Sequence, residues 1–218
     1  MSRGVGVTLV LVSLLAAGPS AVQLEIDAPA IQEAIAIGQS RIDGERERFH
    51  APYRLTVATA PVDDVEVITP FRRIVLDAEG EAEIGNRAYG QRNALEALAA
   101  APDALEFDVE LTFHPLNTYI GVPDYAVALV PPGGTTPRLE PQTIDRIPRY
   151  GPRVAGMPLP HPKPGGLTLN RRSGPMLGGT VVARYNARLL DVNGRYDVVV
   201  SEDGKELARA RVDLRALR

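Results

Sequence analysis

Three histidines, His50, His114 and His161, are the first residues in this chain to test for chemistry. Histidine titrates near neutral pH and ligates metals, so it serves general acid–base work and zinc-type sites alike. None stands at metal-ligand spacing from another, and no His-x-x-x-His arrangement occurs. The residue types therefore favour local hydrogen bonding for all three. Carboxylates are the next candidates. Glu106, Asp108 and Glu110 share one face of an alternating stretch, and Glu79, Glu81 and Glu83 lie in a helical pattern. A glycosidase needs two such acids converging across a cleft. A row on one strand face reads more simply as a solvated surface, with Arg209 and Arg211 as its expected cross-strand partners. Ser40, Ser173 and Ser201 sit in no Gly-x-Ser-x-Gly elbow. The pairs Gly133-Gly134, Gly165-Gly166 and Gly178-Gly179 lack the Lys-Ser/Thr of a phosphate loop and read as turns. Cysteine is absent altogether, which removes thiol nucleophiles, Cys-ligated zinc and iron–sulfur clusters.

With catalytic motifs lacking, surfaces that could bind carry the argument. The loop His114–Asp124 and the residue after it place Tyr119, Ile120 and Tyr125 between two strands. Loops at one end of a sheet pair are natural recognition surfaces, although both tyrosines could equally cap the core. The second candidate is basic. Residues 131–179 hold 11 prolines and 9 glycines, with Arg138, Arg146, Arg149, Arg153, Lys163, Arg171 and Arg172 against only Glu140 and Asp145. Arg146, Arg149, Arg153, Arg171 and Arg172 are the binding candidates in it. Such a stretch is either a surface arm, which binds at little ordering cost because proline is already stiff, or a set of short strands that proline obscures. Its arginines could meet an acidic partner, or the acidic segment Val22–Ala100, where 14 acids face 8 bases.

These candidates depend on the elements that position them. Val22, Leu24 and Ile26 alternate with polar residues and suggest a short strand. Asp27 and Pro29 open a helix with Ile31, Ala34, Ile35, Gly38 and Ile42 on one face. The charge-dense Asp43–Arg48 reads as a solvated last turn or a loop. Tyr53–Ala60 and Val65–Thr69 form a hairpin about Pro61–Asp64. Thr69-Pro70 caps a long helical pattern, whose glycines either divide it into about 70–84 and 88–100 or bend a single helix. Leu105 to Phe113 alternates without a fault, and Tyr125–Val130 is a second apolar run. Beyond Gly179, alternating stretches at 181–189, 196–200 and 208–214 are separated by Asp191-Val192-Asn193-Gly194 and Asp203-Gly204, which reads as a meander of two hairpins.

The fold class expected is α+β: N-terminal helices with a short hairpin, then an antiparallel β-sandwich with a long Pro/Gly-rich insertion. The strand pattern resembles an immunoglobulin-like sandwich, without the Cys and Trp marks of antibody domains. The expected organisation is 1–21 as signal peptide, 22–103 as an α+β segment and 104–218 as the sandwich segment with its arm 131–179, the last two allowed to form one continuous domain. Residues 1–21 pair a basic start with an uncharged run from Val5 to Ala17 and a small-residue exit, the pattern of a secretory signal. The run is short for a span of about 20 residues, so a retained anchor is the lesser alternative. No other stretch is long enough to cross a membrane. The formal charge of −3, with aromatic content of 5% and no Trp, points away from nucleic acid.

The function expected is therefore an exported, periplasmic or extracellular, interaction or structural protein that is not an enzyme. It needs no cofactor or metal, and its partner is another protein or an envelope component. A hydrolase using carboxylates and His114 in a cleft under the arm is the alternative. A carrier with an apolar cavity is the second.

Overall fold

The computed structural model describes residues 22–133, 138–151 and 174–218. The signal-like segment and the centre of the basic arm, with Arg153, Arg171, Arg172 and His161, lie outside them.

Asp27 caps the first helix, α1 (Ala28–Gly38), by accepting the Ala30 N–H at 2.9 Å. Its buried face is Ala30, Ile31, Ala34, Ile35 and Gly38. Ile42 falls beyond its end and is exposed. The expected strand at Val22–Ile26 does not form, because an alternation this short finds no neighbour to pair with. The segment expected as a turn or loop is instead helix α2 (Asp43–His50). It buries none of its residues, which is why no apolar period announced it. A 3₁₀ turn, Ala51–Tyr53, leads into β1 (Arg54–Thr59) and β2 (Val62–Ile68), the predicted hairpin, but it turns at Ala60-Pro61, and Val62–Asp64, expected in the turn, belong to β2.

Thr69 caps α3 (Pro70–Glu83), and α4 (Gln91–Ala100) follows. The Thr69 hydroxyl accepts from Arg72 N at 3.1 Å and donates to the Arg218 carbonyl. Because it is buried and does both, Thr69→Ala should cost about 1–2 kcal/mol, readable as a lowered urea midpoint with an unchanged slope.

The strands form two antiparallel sheets. The larger runs β1–β2–β3–β6–β5, with β3 (Ala104–Thr112) at its centre, β5 at Thr143–Tyr150 and β6 at Met176–Asn186. The smaller runs β4–β7–β8, from Ala126–Val130, Arg195–Glu202 and Lys205–Asp213. The fold is thus α+β with two sheets arranged as a sandwich. Leu105, Phe107, Val109, Leu111 and Phe113 of the alternating stretch are all buried against Val127, Leu129, Val198 and Val200 of the other sheet. A second core, Ile31, Ile35, Phe71, Ile74 and Val75 among others, holds the helices together, and Phe49 packs against both.

One expectation needs correction. The Asp191–Gly194 turn does not close a hairpin; it carries the chain from β6 in one sheet to β7 in the other. Only Asp203-Gly204 makes the predicted tight hairpin, with φ of +49° and +78° at the two turn residues. The proline-rich stretch, expected to be either a surface arm or short strands that proline obscures, contains an eight-residue strand, β5, which Pro148 interrupts without expelling, because β5 is an edge.

Candidate functional site

β3 and β4 lie in different sheets, so the loop between them must cross one end of the sandwich. Its conformation is fixed by its own residues. Phe113 N donates to Leu177 O at 2.8 Å, extending the β3–β6 pairing one step. Asn117 then acts as a staple: its Nδ2 donates to His114 O at 2.8 Å and to Met176 O at 3.0 Å, while its Oδ1 accepts Tyr119 N at 3.0 Å. His114 Nδ1 accepts from Leu116 N at 3.2 Å, so this histidine shapes the loop. The Tyr119 ring stands edge-on to Phe113 with centroids 4.9 Å apart. At the far end, Arg146 donates to Asp124 and, at 3.0 Å, to Tyr125 O.

The result is a pinned loop with three large side chains in water. Leu116 is 83% exposed, Ile120 86% and Tyr119 44%. Tyr150 and Leu177, at the adjoining ends of β5 and β6, are exposed too. Of the residues singled out from the sequence, Tyr119 and Ile120 are therefore on the surface. Tyr125 is core, and burial raises its hydroxyl above the usual tyrosine range. Arg146 and Arg149 serve the chain itself: Arg149 Nη2 donates to Leu111 O at 2.8 Å and Thr112 Oγ1 at 3.1 Å. Leu116 was not among those candidates, although its place between Pro115 and Asn117 in a turn could have flagged it.

The strand acids do not pair as expected. Arg209 and Arg211 belong to the other sheet and bind Asp197 and, for Arg209, Glu206. Glu106 is held instead by Arg73 from α3 and by Arg184 of β6 at 2.8 Å. Glu110 accepts the Thr180 hydroxyl at 2.6 Å. The physical reason is topological: β3 lies between β2 and β6 in the larger sheet, so its outer face is reached from its own sheet and from α3, whereas Arg209 and Arg211 are on β8 of the other sheet.

A second polar locus was invisible in the sequence. A cleft of about 550 Å³ between α2, α3 and the β1–β2 hairpin is lined by Arg46, His50, Arg54, Glu66, Arg72 and Glu79 among others. His50 Nε2 lies 2.9 Å from Glu79, whose other oxygen is 3.2 Å from Arg46. Arg72 Nε donates to His50 Nδ1 at 3.3 Å. Arginine can only donate, so Nδ1 must accept, and neither ring nitrogen is left to take a proton from a substrate. Burial pushes the Glu66 carboxyl up, but Arg54 and Arg72 outweigh it and hold Glu66 below its ordinary range. This is a lock between helices and hairpin. A smaller cleft of about 430 Å³ between α3 and α4 is lined by Asp77, Glu81, Tyr89 and Glu96. Neither cleft is lined by His114, Glu106, Asp108 or Glu110. Among the described residues no three His or acidic groups are placed to hold a metal, and no helix is long and apolar enough to cross a membrane.

Compared with protein-family models, curated proteins and solved structures, the chain matches none.

Proposed function

We propose that this is a non-catalytic interaction or structural protein, exported to the cell envelope or beyond it, that meets a protein partner through the loop His114–Asp124. The observation carrying this reading is the exposure of Leu116, Tyr119 and Ile120 on a loop whose backbone is already held by Asn117 and Arg146. Large apolar groups clustered in water mark interaction surfaces, and a preformed loop loses little entropy on binding. The loop carries one acid, Asp124, and that acid is paired with Arg146, so the partner surface it fits is apolar. An immunoglobulin-like use of the sandwich, with recognition at the loops of one end, is consistent with this arrangement and rests on analogy. Export rests on the signal-like pattern of residues 1–21.

The test is a photo-crosslinking amino acid placed at Ile120 in producing cells, with Leu189, 74% exposed past the opposite end of β6, as control. A discrete protein adduct at 120 and none at 189 is expected. The partner, identified and purified, should bind the wild-type chain at least about tenfold more tightly than Ile120→Asp, a substitution that leaves the melting temperature in place. Equal adducts at both positions, or equal affinity of both chains, overturns the proposal.

A further inference from the structure

The outer face of the five-stranded sheet sets like charges opposite one another. Glu66 of β2 stands directly across from Asp108 of β3, and Asp64 across from Glu110. Directly opposed like charges destabilise a ladder, so each pair needs a counter-charge or a proton. Among the described residues, the nearby arginines form no ion pair with Asp108, Asp64 or Glu110. Arg54 and Arg72 hold Glu66, and Arg73 and Arg184 hold Glu106, with Arg184 also on Asp145 of β5. Arg149 is spent on Leu111 O and Thr112. Among the described residues, Glu110 accepts from the Thr180 hydroxyl and Asp63 from that of Thr112. On its β6 side Asp108 faces Val182, which offers it nothing. Asp64 Oδ1 and Asp108 Oδ1 are both buried and accept no hydrogen bond among the described residues.

We propose that this face is a proton-operated brace: protons taken up by Asp108, walled by Glu66, Glu106 and Glu110, and by Asp64 next to it, tighten the β2–β3 ladder. Protonation removes the repulsion across the ladder and makes burial of the carboxyl far less costly. A metal ion is not the neutraliser this geometry selects, since among the described residues no three ligands converge.

The electrostatics agree with the packing. Burial, then Glu106, Glu66 and Glu110, raise Asp108 to about 7, with Arg184 opposing weakly. Burial, then Glu66, raise Asp64, with Glu110 and Asp63 adding and Arg54 opposing. An acid raised on folding binds its proton more tightly in the native state. Its contribution to stability is therefore complete below the unfolded value near 3.8 and is lost as the pH climbs through about 7. The fold is thus braced in mildly acidic surroundings and loosened in alkaline ones.

Urea unfolding of the wild type and Asp108→Asn at pH 5.5 and pH 8.0, with EDTA present, tests this. Comparing the two chains cancels the histidines. The ratio of their unfolding constants should change about thirtyfold between the two pH values, the wild type losing ground as the pH rises. A ratio that stays constant, or one that moves the other way, overturns the brace. Carboxyl-carbon NMR of the wild type reads the same group without a substitution: a titration near neutrality supports the proposal, and one near pH 4 refutes it.

Discussion

Arg72→Met should unfold about 6–20 °C below the wild type. Arg72 is 1% exposed, and each nitrogen of its guanidinium has a partner in a different direction. Nη1 donates to Val67 O at 2.8 Å, Nη2 lies 2.6 Å from Glu66, and Nε meets His50. The group also lies over the Tyr53 ring, 5.1 Å from its centroid. Methionine fills much of the space but leaves Val67 O and part of Glu66 without their donor in a buried place. Breaking such a pair by removing one member costs about 3–5 kcal/mol, and about 2–4 °C accompanies each kcal/mol in a domain of this size. Lysine should not rescue it, because an ammonium on a flexible stem cannot supply the planar fork. Arg54→Ala is the contrast: Arg54 touches the same Glu66 from the solvent side, and its loss should shift stability by no more than about 1 kcal/mol. Calorimetric melting of the four chains decides it, and a small shift for Arg72→Met would show that the lock is not structural.

Gly38→Ala and Gly80→Ala should change stability in opposite directions. Both glycines are helical, where alanine ordinarily gains about 1 kcal/mol. A methyl at Gly38, however, would lie 2.3 Å from Val75 O and 2.8 Å from Ala78 Cβ. The backbone of α3 cannot give way as a side chain would, so α1 must move off it, opening contacts of Ile31, Ile35 and Phe71. Overpacking of this kind costs about 1–3 kcal/mol and reverses the propensity gain. At Gly80 nothing lies within 4 Å, and the gain should appear undiminished. Equilibrium denaturation of both variants checks the sign, and stabilisation by both would mean that the helices separate freely.

The parts of this molecule that were legible in its sequence are those fixed by neighbours in the chain. Asp27 and Thr69 announced their helices, Asp203-Gly204 its hairpin, and the alternation at 105–113 its buried face, because each signal and its consequence lie within a few residues. What failed depended on distant partners. Asn193-Gly194 looks locally like a hairpin turn, yet the sheet to which β7 belongs is decided by β4 and β8. Helix α2 has no apolar face to betray it, and Pro148 disguised β5. For the candidate loop, Tyr119 and Ile120 could be suspected from their setting, but Tyr125 looked the same and is buried. Arg72 reads as one more polar position on α3, and only the fold makes it the most enclosed charge among the described residues.

Arg218 closes a clasp over the helices. Its N–H donates to Tyr53 Oη at 3.1 Å, its carbonyl accepts from Thr69, its guanidinium grips both oxygens of Glu33, and it lies 4.5 Å from the Phe71 ring centroid. Glu33 and Arg218 are 185 positions apart. At a synthesis rate of about 5–20 residues per second, the helical layer waits about 10–40 s on the ribosome with that seat unfilled. The helices and the β1–β2 hairpin must persist through that interval on their own packing or stay open until residue 218 arrives. The order of assembly is therefore written into the clasp: the earliest-made elements are among the last to be secured.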